Sequence, residues 1–140
     1  MSEAQSPAER VRRAYVQWEA TKGASADCFL DLMADDVRAA TALSPLEDHP
    51  MARERVGKAF ARDYLESLPL NLDMLAFPTD EVVDGGDTVV WIGSCRWRDR
   101  ASGKETETVK VDVWRFRDGK AVTILEMFDT LGFARLNRMI

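Results

Sequence analysis

Two acidic residues, Asp112 and Glu126, fall within segments whose other residues are typical of β-strands. Strands disfavour aspartate, and a carboxylate on an apolar face is costly unless it is paired or protonated. Lys110 precedes Asp112 by two residues and therefore lies on the same face of a strand, where it could hold one acid ionised. A functional site is expected where such a local conflict occurs.

Two carboxyl groups that face each other in an apolar pocket cannot both ionise without cost. Burial and like charge raise the pKa of at least one of them, by as much as about 3 to 5 units when burial is full. The pair would then supply a general acid and a general base near neutral pH, worth roughly 10²- to 10⁴-fold each in rate. The alternative is that Lys110, Asp112 and Glu126 form a buried structural ion-pair network, since such networks also perturb pKa values.

Both acids belong to one predicted β-hairpin. Residues 108–129 read TVKVDVWRFRDGKAVTILEMFD, in which Asp118-Gly119 separates two runs of alternating apolar residues. This dipeptide is the strongest short-range signal for a hairpin turn, and side chains alternate between the two faces of each strand. The face that carries the acids is predicted to hold Lys110, Asp112, Trp114 and Phe116 from the first strand and Val122, Ile124, Glu126 and Phe128 from the second.

The opposite face of the hairpin is apolar. Val109, Val111 and Val113 are expected to join Val90 and Ile92 of the preceding strand in one patch on the outer surface of the sheet. Because such a patch usually marks a protein interface, we expect a homodimer packed sheet to sheet. The alternative is that the C-terminal segment covers these residues.

That segment, residues 130–140, is predicted to be a short helix or tail. Its apolar side chains Phe133, Leu136 and Ile140 could pack back over an opening.

The first helix begins at a capping box. Ser6 is the N-cap, Pro7 occupies the first helical position and Glu9 follows Ser6 by three residues. Val11, Ala14, Tyr15 and Trp18 then recur at helical spacing, up to an end near Lys22-Gly23. Tyr15 lies on the apolar face, where it is either a core tyrosine or a hydrogen-bond donor directed into a pocket.

The next segments alternate between helix and strand. A second helix is predicted from Ser25 to the pair Asp35-Asp36, and residues 37–43 form a short strand. A third helix covers residues 50–68, ends at Pro69 and is expected to expose Arg55. Its buried stripe is predicted to consist of Val56, Phe60, Tyr64 and Leu68. The only histidine, His49, lies in the preceding loop, as a surface or capping residue or at a pocket mouth.

Two further strands lead to the hairpin. They are predicted over residues 70–83, with a bend near Pro78, and over residues 88–98. Because helices come first and long strands follow, the order indicates an α+β fold with helices on one face of an antiparallel sheet.

Composition places the chain among soluble proteins of one domain, residues 1–140. The net charge of −5 argues against a nucleic-acid surface, and no apolar run is long enough to span a membrane. The polar N-terminal stretch lacks a signal core, so we expect a cytoplasmic protein. Cys28 and Cys95, with one histidine in the chain, make a structural metal site improbable and are expected to be reduced thiols.

Three stretches resemble the nuclear transport factor 2-like superfamily: the first helix with Tyr15, the segment FLDLMADDV that ends at Val37, and the strands VDVWRFRDGKAVTILEMFD. That superfamily includes ketosteroid isomerase, limonene-epoxide hydrolase, scytalone dehydratase and the SnoaL-like polyketide cyclases. The resemblance implies a cone-shaped, curved antiparallel sheet wrapped around three N-terminal helices and enclosing a pocket.

The resemblance also implies roles for individual residues. Tyr15 and Asp112 are similar to the oxyanion-hole pair of ketosteroid isomerase, but Thr41 stands where its catalytic base would be. Asp112 and Glu126 resemble the two acids of the epoxide hydrolase, with Lys110 in place of the bridging arginine, and Glu126 resembles the acid of the SnoaL-like cyclases. Lysine lacks the planar fork of arginine and is not its equivalent.

We therefore expect acid/base chemistry, by Asp112, Glu126, Tyr15 and Lys110, on a small apolar, oxygen-bearing molecule without a cofactor or metal. Hydrolase, dehydratase or cyclase-like chemistry is favoured over isomerisation because Thr41 cannot act as the base. The alternatives are a non-catalytic module for a hydrophobic ligand and a dimeric adaptor of the same fold. The pocket is expected to be lined by Trp18, Thr41, Phe60, Trp114, Phe116, Ile124 and Phe128.

Overall fold

The computed structural model describes residues 5–44 and 53–136. The helices are α1 (Pro7–Ala20), α2 (Asp27–Leu30), α3 (Lys58–Asn71) and α4 (Thr130–Leu136). The strands are β1 (Met33–Thr41), β2 (Arg55–Val56), β3 (Leu72–Ala76), β4 (Thr79–Gly85), β5 (Thr88–Asp99), β6 (Glu105–Arg117) and β7 (Lys120–Met127). The predicted α+β class is confirmed, with the helices concentrated in the first half of the chain and the long strands in the second.

The strands form one curved sheet in the order β2-β1-β7-β6-β5-β3, with β4 also paired to β5. All pairings are antiparallel except that of β1 with β7, which is parallel. The sheet is therefore mixed rather than wholly antiparallel. The parallel pair arises because β1 enters the sheet beside the last strand, far from it in sequence.

The start of the chain follows the predicted capping chemistry. The Ser6 hydroxyl accepts a hydrogen bond from the Glu9 amide, and the Glu9 carboxylate accepts one from the Ser6 amide. The apolar stripe of α1 packs inside the curved sheet, where Tyr15 and Trp18 are each 2% exposed. The ring of Tyr15 stacks on Trp91 of β5, with centroids 4.1 Å apart and planes 7° apart.

Two of the predicted helices are shorter than their sequences suggested. The second has only one turn, because Met33 already pairs with Ala121 of β7. The third begins at Lys58 and not near residue 50, because Val56 pairs with Arg38 in the sheet. It also continues past Pro69 to Asn71, since a proline in the last turn removes only one helical hydrogen bond.

The predicted bend near Pro78 is confirmed. It divides the expected strand into β3 and β4, which pair with opposite halves of β5. The Pro78 carbonyl accepts a hydrogen bond from Ser94 on β5 at the break. The bend lets one long strand carry two partners and adds to the curvature of the sheet.

Candidate functional site

A cavity of about 570 Å³ lies between the helices and the inner face of the sheet. Most of its wall is aromatic or aliphatic, with Trp97 and Phe77 on the side of β3 and β5. The polar groups in the wall include Lys110, Asp112 and Glu126. A few polar groups in a largely apolar concavity are typical of sites for small molecules.

The two acids face each other across neighbouring strands. Asp112 of β6 and Glu126 of β7 are directly opposed in the strand register, and both line the cavity. The Lys110 ammonium lies 2.5 Å from Asp112 Oδ1 and 3.2 Å from Glu126 Oε1. The face predicted to carry these three side chains is therefore confirmed.

A β-bulge near the turn sets this register. Asp118 and Gly119 have φ angles of 51° and 77°, the positive values that a tight type I′ turn requires. The pairing of β6 with β7 then shifts between Phe116 and Arg115, which leaves Val122 without a partner. Without that extra residue Asp112 would oppose Leu125, and Glu126 would face away from the cavity.

The bulge also corrects one predicted face. Ala121, rather than Val122, is the fully buried residue at the start of β7, and it lies opposite Phe116. From Thr123 onward the predicted alternation is restored, so that Ile124 and Glu126 point into the cavity.

Both oxygens of Asp112 are bound. The Tyr15 hydroxyl donates to Oδ2 and the Lys110 ammonium to Oδ1. The Asp112 side chain is only 3% exposed. Its pKa is raised by burial, an effect that Lys110 opposes and the charge of Glu126 reinforces. The sequence-based expectation that at least one carboxyl has a raised pKa therefore holds for Asp112.

Tyr15 is part of the support for Asp112. Its hydroxyl accepts a hydrogen bond from Trp114 Nε1 at 3.0 Å and donates its only hydrogen to Asp112. Burial, followed by the charge of Asp112, raises the pKa of Tyr15 well above its ordinary value. A neutral phenol whose hydrogen is already donated cannot donate to a bound molecule at the same time.

Lys110 is held in its charged form. Burial disfavours the ammonium, but the charges of Asp112 and Glu126 more than offset this and raise its pKa. An ammonium has three N–H donors, and the two carboxylates occupy two of them. Lys110 therefore adds a fixed positive charge to the cavity wall.

Glu126 differs from Asp112 in its accessibility. Its side chain is 18% exposed, against 3% for Asp112. Within residues 5–44 and 53–136, Lys110 is its only hydrogen-bond partner, through Oε1. The second carboxylate oxygen of Glu126 is thus available to a molecule in the cavity.

Four of the predicted pocket residues line the cavity: Trp18, Trp114, Ile124 and Phe128. Phe128 also makes an edge contact with Phe133 of α4, with centroids 5.6 Å apart. Phe133 is itself in the cavity wall, so the described part of the C-terminal segment packs at the cavity. This agrees with its predicted packing over an opening. Ile140 and His49 lie outside the described residues.

Three predicted pocket residues do not line the cavity. Phe60 is 64% exposed because the buried side of α3 in this turn is formed by Ala61, which is 2% exposed, and Phe60 lies on the other side. Thr41 is buried beside Glu126 in the register, but its hydroxyl accepts from the Leu43 amide at 3.0 Å. Phe116 packs near Trp114 in the core at the hairpin end, with centroids 6.4 Å apart.

Arg55 and Tyr64 are among the cavity residues that were not predicted to line the pocket. Arg55 was assigned to the exposed side of a helix, but it lies on β2 opposite Ala39 and is 7% exposed. Its guanidinium carbon lies 3.4 Å from the centroid of the Tyr64 ring, in cation–π geometry. A strand of two residues leaves no periodic signal by which Arg55 could have been found.

The two cysteines are free thiols, as predicted. Cys95 lines the cavity, and burial raises its pKa to about 11. In the part of the chain that the structure describes, no group of three or more His, Cys, Asp or Glu side chains could hold a metal ion. Among the same residues, none of the helices is long and apolar enough to cross a membrane.

Comparison with known proteins shows the same fold elsewhere. An NTF2-like protein of Burkholderia thailandensis is 24% identical and superposes with a TM-score of 0.78, over 94% of this chain and 97% of its own. TerC, co-crystallised with polyporic acid, is 22% identical, with a TM-score of 0.73 over 93% of this chain and 96% of its own.

A third structure, from Mesorhizobium loti, is described as a candidate SnoaL-like polyketide cyclase. It is 19% identical, with a TM-score of 0.69 over 89% of this chain and 98% of its own. No curated protein matches the chain in sequence. The family model of the SnoaL-like domain matches residues 11–124, a range that contains most of the cavity wall. The chain therefore belongs to the SnoaL-like domain family, within the nuclear transport factor 2-like fold.

Proposed function

We propose that this protein is a cofactor-independent enzyme that moves a proton on a small, apolar, oxygen-bearing molecule. Its substrate is a compound such as a cyclic ketone, an epoxide or a polyketide-like molecule. One observation carries the proposal: the Glu126 carboxylate lies in a mostly apolar cavity, with one oxygen bound to Lys110 and the other without a hydrogen bond from any residue that the structure describes. A carboxylate so placed is a suitable general base.

The proposed roles divide the polar cluster into two parts. Glu126 accepts a proton, either from carbon next to a carbonyl or from a water that attacks an epoxide. Lys110 places positive charge near the oxygen on which negative charge develops. Asp112 and Tyr15 act as positioning residues, because Asp112 binds Lys110 and Tyr15 fixes Asp112.

The structural relatives are consistent with this class of function. TerC was co-crystallised with the small organic molecule polyporic acid, and the Mesorhizobium loti protein is described as a candidate cyclase. Their identity to this chain is too low to transfer a substrate. The proposal therefore rests on the cavity of this chain.

Proton transfer can be tested directly by deuterium exchange. In D₂O at neutral pH, we expect the protein to speed the loss of the C2 proton signal of 1-tetralone above the buffer rate, in proportion to protein concentration. Measuring the conversion of styrene oxide to its diol tests for epoxide hydrolysis. If both compounds bind and neither exchanges nor reacts, the catalytic proposal is wrong for these two substrate classes.

A second candidate is a non-catalytic module that binds a hydrophobic ligand. This candidate is favoured because both carboxylate oxygens of Asp112 already accept hydrogen bonds, from Tyr15 and Lys110, as in a structural network. Such a module would retain ligands after Asp112→Asn and would show no exchange. The two measurements together separate the two candidates.

We further propose that two copies pair through the outer face of the sheet. Val90, Val113 and Leu125 are successive cross-strand neighbours there, as are Ile92, Val111 and Met127. Val109 at the end of this face is 72% exposed. Phe133 of α4 packs at the cavity, which leaves this face to a second copy in our proposal.

Replacing Val113 with lysine should convert the dimer to a monomer, because the charge would be buried unpaired at the centre of the interface. Light scattering after size-exclusion chromatography measures the mass. Val16→Lys, on the exposed side of α1, is the matched control and should leave the dimer intact. A monomeric wild-type protein at high concentration would refute the pairing.

A further inference from the structure

The chain contains two tyrosines, and their hydroxyl groups differ in hydrogen bonding within the protein. Tyr15 donates to Asp112 and accepts from Trp114, so its hydrogen-bonding capacity is committed within the protein. Tyr64 also lines the cavity, on α3, and no residue in the ranges 5–44 and 53–136 hydrogen-bonds to its hydroxyl. A partly buried phenol without a protein partner is a donor available to whatever fills the cavity.

The surroundings of Tyr64 fix its ring and keep its proton. The Arg55 guanidinium covers one ring face at 3.4 Å, and Arg55 is itself held on β2. Burial, followed by the charge of Glu126, raises the pKa of Tyr64. The phenol therefore remains a neutral donor at neutral and mildly alkaline pH. The charges of Lys110 and Asp112 also act on it, which places Tyr64 within the electrostatic reach of the polar cluster.

We infer that Tyr64, and not Tyr15, donates the hydrogen bond that orients the ligand oxygen in this cavity. Glu126 and Lys110 lie on the sheet side, and Tyr64 lies on the helix side. An oxygen-bearing ligand held from both sides would keep its polar end at the acid cluster and its apolar part against the tryptophans. This inference rests on the proposed function, because it assumes that the ligand is a small molecule with an accepting oxygen.

A pair of probes isolates this hydrogen bond. 1-Tetralone and tetralin have similar shapes, but only the ketone has an acceptor oxygen. The ratio of their dissociation constants, measured by ligand-observed NMR, therefore reports the donor. Comparing this ratio between wild type and Tyr64→Phe cancels the difference in hydration of the two probes. We expect the preference for the ketone to fall by about 3- to 10-fold in Tyr64→Phe, which corresponds to one hydrogen bond.

Ser67→Ala is the matched control. Ser67 lines the same cavity one turn along α3, but its hydroxyl already donates to the Tyr64 carbonyl at 2.6 Å. It should leave the ratio unchanged. Tyr64→Phe should also leave the melting temperature unchanged, because the ring and its contact with Arg55 remain and the hydroxyl has no hydrogen-bond partner among the described residues.

The outcomes separate this inference from the proposed function. An unchanged ratio in Tyr64→Phe, or an equal fall in Ser67→Ala, refutes the role of Tyr64 but leaves the pocket and its catalysis standing. A shifted ratio without any deuterium exchange supports Tyr64 as the donor and refutes the proposed catalysis for ketones of this class. If wild type binds neither probe at its solubility limit, the inference and the proposed ligand class are both wrong.

Discussion

Replacing Glu126 with glutamine is expected to slow the exchange of 1-tetralone protons by roughly 10²- to 10⁴-fold, the usual contribution of a general base. Glutamine keeps the size and the hydrogen-bonding geometry of the side chain but cannot accept a proton at a useful rate. The fold should be retained, because the group is 18% exposed and Lys110 keeps its closer partner Asp112. The rate is measured by NMR in D₂O, with circular dichroism as the check on folding.

Glu107→Gln is the matched control for this change. Glu107 lies on β6, exposed and outside the cavity wall, so the same substitution there should leave exchange unchanged. Asp112→Asn tests the division of roles between the two acids. If exchange falls more in Asp112→Asn than in Glu126→Gln, then Asp112 and not Glu126 is the base, and our assignment is reversed.

Removing Lys110 is expected to have the largest effect on stability. Lys110→Met leaves the Asp112 carboxyl, 3% exposed, without its counter-charge, and breaking a buried ion pair in this way lowers the free energy of unfolding by about 3 to 5 kcal/mol. Methionine fills most of the space of the lysine stem, so the loss reports charge rather than volume. Urea unfolding at neutral pH measures it.

A second substitution should restore most of the free energy of unfolding that Lys110→Met removes. In Lys110→Met/Asp112→Asn no buried charge remains at position 112, and the asparagine oxygen can still accept from Tyr15. Lys104→Met, at an exposed position just before β6, is the control and should change the free energy of unfolding by less than about 0.5 kcal/mol. A Lys110→Met variant as stable as wild type would mean that Asp112 is neutral in the native protein.

The loss of stability caused by Lys110→Met should depend on pH in a defined direction. The pKa of Lys110 is raised in the folded protein above its ordinary value of 10.5. The stabilisation from Lys110 is therefore complete below about pH 10 and declines as the pH rises through the folded-state pKa. The difference in the free energy of unfolding between wild type and Lys110→Met should accordingly shrink as the pH rises above about 10.

The hairpin shows how far local sequence determines this site. Asp118-Gly119 specifies the turn, and alternation places Lys110, Asp112 and Trp114 on one face, as the structure confirms. The opposition of Asp112 to Glu126 depends in addition on the bulge at Val122. The packing of the hairpin on its neighbours decides whether a bulge forms. The Ala121 amide donates a hydrogen bond to the Leu32 carbonyl, and Ala121 pairs with Met33 of β1.

The lengths of the helices show the limit of local patterns. The apolar stripe that predicted a helix from residue 50 continues into α3, where Tyr64 and Leu68 do line the cavity. Helical periodicity nevertheless gave the wrong environment for Phe60 and Val56, because it carries no information on where a neighbouring strand begins. Pairing of β2 with β1 removes Val56 from the helix and brings Arg55 into the cavity.

The sequence alone determined the α+β class, the capped first helix, the bend at Pro78 and the strand that carries Lys110 and Asp112, because these depend on neighbours within a few residues. The tertiary structure alone decided the availability of each polar group. The Tyr15 hydroxyl is bound by Asp112 and Trp114, while no residue in the ranges 5–44 and 53–136 hydrogen-bonds to the Tyr64 hydroxyl or to the second side-chain oxygen of Glu126. Hydrogen-bond partners 97 and 99 residues apart in the chain are set by packing across the core, which no local pattern records.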